Sequence, residues 1–313
     1  MKATLLTLAT IFFLISTSAQ NIEKVYLDKD DKSVNYYSII YPPNLPWKGY
    51  IFIIPGFGED GEAVLKQTDL PKLTAQSGLL TIIPTFQHGV TSFGVDSISQ
   101  QSLHAIVQDV INKHKLVDQH FYIGGFSIGG SCAIKYVENT SIKPTAVFAI
   151  DPPLDFERFY HAAKRDIRLS KNSNPSPENV YMLERIEKEA GGTPQTNITG
   201  YYELSPYSFS DTSQYALRTL KQVPIRLYSE PDINWWITNR KADLTSMNVT
   251  DCSAFINELN RLGNKNATLI LTLNKGYRNP GHIRHPHSWS IVDNDELITW
   301  LLNQKQDLIH LNY

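Results

Sequence analysis

Continuous apolar runs alternate with segments of helical periodicity along most of the chain. The apolar runs cover residues 49–54, 79–83, 121–126, 146–150, 225–229 and 268–273. Runs of this length are typical of strands that are covered on both faces. Between them, residues 97–114 repeat Leu103, Ile106 and Val110 on one helical face. The alternation predicts an α/β fold with a mostly parallel sheet flanked by helices.

Two regions depart from this rhythm. Short strand-like segments at residues 24–27 and 36–41 predict an antiparallel start. Residues 155–223 carry a basic patch, a polar break and a helix that begins at Pro177. We interpret about 155–223 as a helical and loop insertion in a single α/β domain, ahead of the strand at 225–229. Four aromatic residues of this insertion lie in a stretch that resembles a loop: Tyr201, Tyr202, Tyr207 and Phe209.

The first 19 residues have the pattern of a signal peptide. Lys2 is followed by an apolar stretch and then by small residues, with Thr17 and Ala19 at the cleavage positions. A membrane anchor is the competing interpretation, but the apolar stretch is short for a bilayer. We expect removal of residues 1–19, a mature domain of residues 20–313, and a secreted or periplasmic protein without stable membrane insertion.

The amino-acid composition excludes only a few classes of binding partner. The 313 residues are 42% hydrophobic, which is ample for a large core. The chain has 29 lysine and arginine residues and 31 aspartate and glutamate residues. A net charge of −2 gives no field that would attract nucleic acid, so none is expected as a partner. Cys132 and Cys252 are too few for a disulfide framework, and the sequence leaves open whether they pair.

The first candidate for chemistry is Ser127. It lies in the sequence Gly125-Phe126-Ser127-Ile128-Gly129, between a run of strand formers and a helix-compatible segment. A serine on so sharp a turn needs small neighbours, which the flanking glycines supply. The pattern predicts a nucleophile, with a Gly/Ser turn of no chemical role as the alternative.

A serine nucleophile needs a base and an acid that orients the base. Such groups are expected beyond the carboxyl ends of strands. Asp232 follows the strand at 225–229 and is the preferred acid, with Glu230 as its rival. Asp151 also ends a strand, but the two prolines that follow it indicate a structural role in a turn.

Three histidines precede the last helix, and we choose His287 as the base. His285 is the main rival, and His282 is expected only to decorate the loop. The three together also suggest a zinc site, but no Glu or Cys cluster accompanies them and the serine and acid would be left without a role. We therefore predict neither a metal nor another cofactor.

With this order of Ser127, acid and histidine, the chain resembles the α/β-hydrolase fold superfamily. The segment Pro286-His287-Ser288-Trp289 is similar to the histidine segment of esterase D-like bacterial serine esterases. The resemblance spans about residues 25–302. It implies that Ser127 attacks a carbonyl, that His287 moves the proton, and that Asp232 orients the imidazole.

The resemblance also implies an oxyanion hole, whose first donor is the backbone N–H of Ile128. The second is expected from Phe57 in Pro55-Gly56-Phe57-Gly58, which departs from the His-Gly-Gly-Gly motif of some lipases, so its identity stays open. Four further aromatic residues are candidates for a substrate pocket: Phe126, Trp235, Trp236 and Tyr277.

The function predicted from the sequence is an exported serine esterase that cleaves a small-molecule ester or acylated substrate through an acyl-enzyme. The same triad could serve a peptidase or amidase. A silent binding protein on the same scaffold is the alternative from another class.

Overall fold

The computed structural model describes residues 22–170 and 177–304. Its strands are β1 (Ile22–Tyr26), β2 (Tyr36–Ile40), β3 (Gly49–Ile54), β4 (Leu79–Thr85), β5 (Phe121–Phe126), β6 (Ala146–Ile150), β7 (Ile225–Ser229), β8 (Ala267–Leu271), β9 (Tyr277–Arg278) and β10 (Ile283–Arg284). Its α-helices are α1 (Gly61–Gln67), α2 (Leu70–Gln76), α3 (Ser97–His114), α4 (Ile128–Asn139), α5 (Phe156–Leu169), α6 (Pro177–Ala190), α7 (Ile198–Leu204), α8 (Ile233–Arg240), α9 (Val249–Arg261) and α10 (Asn294–Leu302).

Within the described ranges, eight strands form one sheet in the order β1-β2-β4-β3-β5-β6-β7-β8. The pairs β1–β2 and β2–β4 are antiparallel, and every later pair is parallel. A separate two-stranded ribbon pairs β9 with β10. Since β5 and β6 are neighbours in the middle of the sheet, whatever follows them at their carboxyl ends is brought together.

Helices cover both faces of the sheet. On one face, α3, α4 and α9 contribute Leu103, Val137 and Phe255 to the larger apolar core. On the other, α2 and α10 place Leu70 and Leu301 against the opposite side of the strands. All residues of β3 and β5 are buried, which is why their sequences are continuously apolar rather than alternating.

The segment between β6 and β7 forms a layer of its own over the carboxyl end of the sheet. Its helices α5, α6 and α7 share a third apolar cluster, which includes Phe156, Met182 and Tyr201. A largely buried ion pair between Arg158 and Asp251 joins α5 to α9 and ties this layer to the main domain.

The predicted fold class is confirmed, and the differences are local. The segment between β3 and β4 forms two short helices, α1 and α2, which are separated by Thr68 and Asp69. Tyr201 and Tyr202 lie in α7 rather than in a loop, because Asn197 caps a helix there by accepting from the Gly200 N–H. The predicted signal peptide, residues 1–19, lies outside the described residues.

Cys132 and Cys252 are both buried free thiols, so they do not pair. In the part of the chain that the structure describes, no helix has the length and apolar character needed to cross a bilayer.

Candidate active site

Ser127 lies at the tip of a strained turn between β5 and α4. Its φ of 54° and ψ of −127° are rarely adopted by residues other than glycine. A Cβ atom on Gly125 would lie 2.5 Å from the Ile54 carbonyl oxygen, and one on Gly129 would lie 2.3 Å from it. Both glycines are therefore required for β5 and α4 to approach β3 so closely, and the turn projects the Ser127 hydroxyl beyond the sheet.

A hydrogen-bonded path links Ser127 to a histidine and a carboxylate. The Ser127 hydroxyl lies 2.9 Å from His287 Nε2, and His287 Nδ1 lies 2.6 Å from Asp151 Oδ2. A carboxylate only accepts, so Nδ1 carries the proton and Nε2 is free to accept from the serine. This is the geometry that a serine nucleophile, its base and an orienting acid require.

Asp151 is held by the strand next to its own. Its φ is 48°, and its N–H donates to the Tyr228 carbonyl in β7. The Ser229 hydroxyl donates to Oδ1 at 2.6 Å, and Asn248 donates its side-chain N–H to the Asp151 carbonyl. The carboxylate thus keeps one oxygen on Ser229 and turns the other toward His287.

The structure corrects the sequence-based assignment of the acid. Asp232 does not contact His287; it caps α8 by accepting from the Trp235 N–H, and it pairs with Arg284 at 2.7 Å. The rival, Glu230, also pairs with Arg284 and accepts from the Gly276 N–H. Both acids follow β7, which is one strand further from Ser127 than β6 is. Both carboxylates bind Arg284 instead, and they stabilise the segment that follows β8.

The three loop histidines have different environments. His282 stacks on Tyr277 with ring centroids 4.0 Å apart, and His285 accepts from Arg240 through Nε2 at 3.1 Å. Burial, together with the charges of Arg278, His287 and Arg240, lowers the pKa of His285 to about 3. His285 is therefore neutral near pH 7. Within the described ranges, no His, Cys, Asp and Glu side chains are grouped to hold a metal ion.

The two predicted oxyanion donors border the same cleft as Ser127. Phe57 follows β3 and Ile128 begins α4, and both line the cleft. Among the described residues, neither backbone N–H donates to another protein group. The turn that carries Phe57 is fixed by Glu59, whose Oε2 accepts from the Gly56 N–H and from Trp289 Nε1, each at 3.0 Å. Sequence reasoning had not singled out Glu59.

The cleft has a volume of about 590 Å³ and lies between the sheet and the helical insertion. Phe159 of α5 and Met182 of α6 form part of its wall. Of the aromatic residues predicted for the pocket, Phe126 and Trp236 line it, whereas Trp235 packs on His285 and Tyr277 stacks on His282. The rings of Trp235 and Tyr277 therefore pack against the loop that carries the three histidines, residues 281–290, which we call the histidine loop.

Solved structures share this architecture at low sequence identity. MPT51 of Mycobacterium tuberculosis has a TM-score of 0.59 and 11% identity over 91% of this chain and 99% of its own. An S-formylglutathione hydrolase from Agrobacterium tumefaciens has a TM-score of 0.53 and 11% identity, covering 92% and 98%. An acylaminoacyl peptidase from Pyrococcus horikoshii has a TM-score of 0.52 and 12% identity over 82% of this chain.

The match to that peptidase spans only 37% of the peptidase's own length. No protein-family model and no curated protein sequence matches the chain. The solved structures therefore define the fold, and the side chains of the cleft indicate the chemistry.

Proposed function

We propose that this chain, which has the α/β-hydrolase fold, is a serine hydrolase that cleaves a carboxylic ester through an acyl-enzyme. The observation that carries the proposal is the continuous path from Ser127 through His287 to Asp151, with distances of 2.9 and 2.6 Å. A serine hydroxyl is a weak nucleophile at neutral pH, and such a path is what activates it.

In the first half of the reaction, His287 Nε2 takes the hydroxyl proton as Ser127 Oγ attacks the ester carbonyl. The imidazolium that forms is stabilised by Asp151, which accepts from Nδ1. His287 then returns the proton to the leaving alcohol oxygen, and the acyl group stays on Ser127. In the second half, His287 deprotonates water, which attacks the acyl carbon and restores the serine.

The negative oxygen of each tetrahedral intermediate needs donors that are already in place. The N–H groups of Ile128 and Phe57 are assigned this role, since both border the cleft without an acceptor in the described chain. The Phe57 ring packs on Tyr181 of α6, with centroids 5.3 Å apart, so the insertion supports the turn.

A fluorophosphonate probe tests the proposal directly. It should label the purified protein, and Ser127→Ala should abolish both labelling and hydrolysis of short-chain p-nitrophenyl esters. Ser253→Ala, an exposed serine on α9, is the matched control and should leave both intact. A native protein that is neither labelled nor active would favour a silent binding protein on this scaffold. Faster turnover of matched anilides than of esters would favour an amidase.

Export is part of the proposal and rests on the sequence of residues 1–19 alone. Expression of the full chain in a bacterium should give a protein in the periplasm or medium that begins near residue 20, as read by N-terminal sequencing. Retention of an intact leader in the cytoplasm would contradict export and leave the hydrolase assignment untouched.

A further inference from the structure

Two arginines of the cleft have no carboxylate partner. Arg240 ends α8 and Arg278 lies in β9, and both line the cleft together with Ser127 and His287. Among the described residues, neither forms an ion pair. By contrast, the neighbouring Arg284 pairs with two carboxylates. The cleft therefore holds two guanidinium groups whose charge is not neutralised by direct contact.

Neutral acceptors hold both arginines in position. Arg278 donates from Nε and Nη2 to the His287 carbonyl at 3.1 and 2.9 Å. Arg240 donates from Nη2 to His285 Nε2 at 3.1 Å, and the low pKa of His285 keeps that nitrogen an acceptor. These contacts orient the two guanidinium groups. Each group still has free N–H donors, because a guanidinium has five N–H groups.

The electrostatics of the cleft disfavour this arrangement in the absence of an anion. Burial, followed by the charge of Arg240, lowers the pKa of Arg278, so the two cations repel one another. Glu178 and Glu59 act in the opposite direction, but neither lies within ion-pair distance of Arg278. An incoming anion would relieve the repulsion and satisfy the remaining donors at once.

We propose that Arg240 and Arg278 bind a carboxylate on the substrate, so that the preferred ester is an anionic one. This inference rests on the proposed function and names the class of its substrate. A planar guanidinium matches a carboxylate through paired, charge-assisted hydrogen bonds. Since Arg278 is anchored on the main chain of His287, a carboxylate held there lies beside the reacting groups and positions the ester as well as binding it.

Matched pairs of esters test the preference. On the alcohol side, p-carboxyphenyl acetate is compared with p-methoxycarbonylphenyl acetate. On the acyl side, the mono-p-nitrophenyl ester of adipic acid is compared with its methyl ester, by release of nitrophenolate. The ratio of kcat/KM, anionic over neutral member, is measured for wild type and variants, which cancels differences in intrinsic reactivity.

In at least one pair, Arg240→Gln and Arg278→Gln should each lower this ratio roughly tenfold, the scale expected for one charge-assisted contact. Arg240→Lys should retain part of the preference for the anionic ester, because the lysine keeps the positive charge. Arg218→Gln, which removes an arginine that does not line the cleft, is the matched control and should leave the ratio unchanged. Added salt should reduce the wild-type ratio, because Arg240 is exposed.

Ratios that neither arginine variant changes, in both pairs, would overturn the carboxylate site. Ser127-dependent hydrolysis of the neutral esters would show that the proposed function stands nonetheless. Calorimetric binding of the anionic esters to Ser127→Ala, with and without Arg240→Gln, tests the carboxylate site even in a protein that turns nothing over. Equal affinity with and without Arg240 would reject it.

Discussion

At the scale of single residues, the candidate site depends on two unusual backbone conformations. Ser127 has a φ of 54° and Asp151 a φ of 48°, and each directly follows one of two neighbouring parallel strands. Such conformations cost about 1–3 kcal/mol each outside glycine, so surrounding contacts must hold them. The Ser127 N–H donates to the Ile150 carbonyl, and the Asp151 N–H to the Tyr228 carbonyl. The sheet hydrogen bonds thus continue one residue past the strands and fix both side chains.

The identity of the acid gives the first prediction. Asp151→Asn should lower kcat on the order of a thousandfold or more, because an amide in place of the carboxylate disfavours both the required tautomer and the imidazolium of His287. Asp232→Asn should change kcat less than about tenfold, since Asp232 pairs with Arg284 and caps α8. Steady-state kinetics on a p-nitrophenyl ester measures both.

The melting temperatures of the two variants serve as the control. Asp151→Asn should remain folded, because the amide oxygen can still accept from Ser229. A folded Asp151→Asn protein with near wild-type kcat, or an Asp232→Asn protein that loses activity without losing stability, would reverse the assignment of the acid.

At the scale of elements, one carboxylate joins the turn after β3 to the histidine loop. Glu59 accepts from Gly56 in that turn and from Trp289, which begins a short 3₁₀ helix two residues after His287. The Trp289 ring packs on Phe126, and Phe126 packs on His287 with centroids 4.6 Å apart. A shift of Glu59 would therefore displace both the proposed oxyanion donors and the proposed base, His287.

Glu59 is predicted to be a positioning residue. Glu59→Ala should lower kcat about tenfold to a hundredfold with a small change in KM, since misplaced oxyanion donors weaken transition-state binding. Glu59→Gln should restore most of the activity, because its amide oxygen can accept the same two N–H groups.

Recovery in Glu59→Gln separates this role from a general need for a charge at the site. Glu62→Ala, an exposed acid on α1 that pairs with Lys24, is the matched control and should behave as wild type. An equal loss of kcat in Glu59→Ala and Glu59→Gln would show that the hydrogen bonds are not what matters.

Local sequence signals predicted most elements and two of the three side chains on the hydrogen-bonded path, Ser127 and His287. Continuous apolar runs located β3, β5 and β6 because buried strands need them, and flanking glycines marked Ser127. The acid was missed because Asp151, Glu230 and Asp232 all follow strands, and their choice depends on which strand neighbours β5. Strand order is a long-range property that periodicity does not encode. Glu59, Arg240 and Arg278 were missed because their positions in the cleft depend on tertiary contacts between loops and helices, which local patterns do not encode.

At the scale of the whole molecule, the helix that follows Ser127, α4, carries a buried acid at its far end. Glu138 in α4 is 7% exposed, and Lys135 lies 3.4 Å away but donates its hydrogen bond to the Ser205 carbonyl in the insertion. Burial outweighs the attraction of Lys135 and raises the pKa of Glu138 from its usual 4.5 to about 8. Charging Glu138 therefore opposes folding of the domain.

This shift predicts how stability depends on pH. Because the folded state holds the Glu138 proton more tightly than the unfolded state, the stabilisation is complete below about pH 4.5 and is lost as the pH rises toward about 8. Glu138→Gln removes the titration. It should raise the free energy of unfolding, relative to wild type, by on the order of 2 kcal/mol at about pH 9 and by much less at about pH 5.

Urea denaturation at the two pH values measures the difference, and Glu184→Gln, an exposed acid on α6, controls for loss of a surface charge. Comparing each variant with wild type at the same pH cancels the titration of groups that do not interact with Glu138. A Glu138→Gln protein that is less stable than wild type at about pH 9 would mean that the ion pair with Lys135 outweighs the cost of burial. The loss would then extend to the contact between α4 and the insertion, since the same lysine makes both.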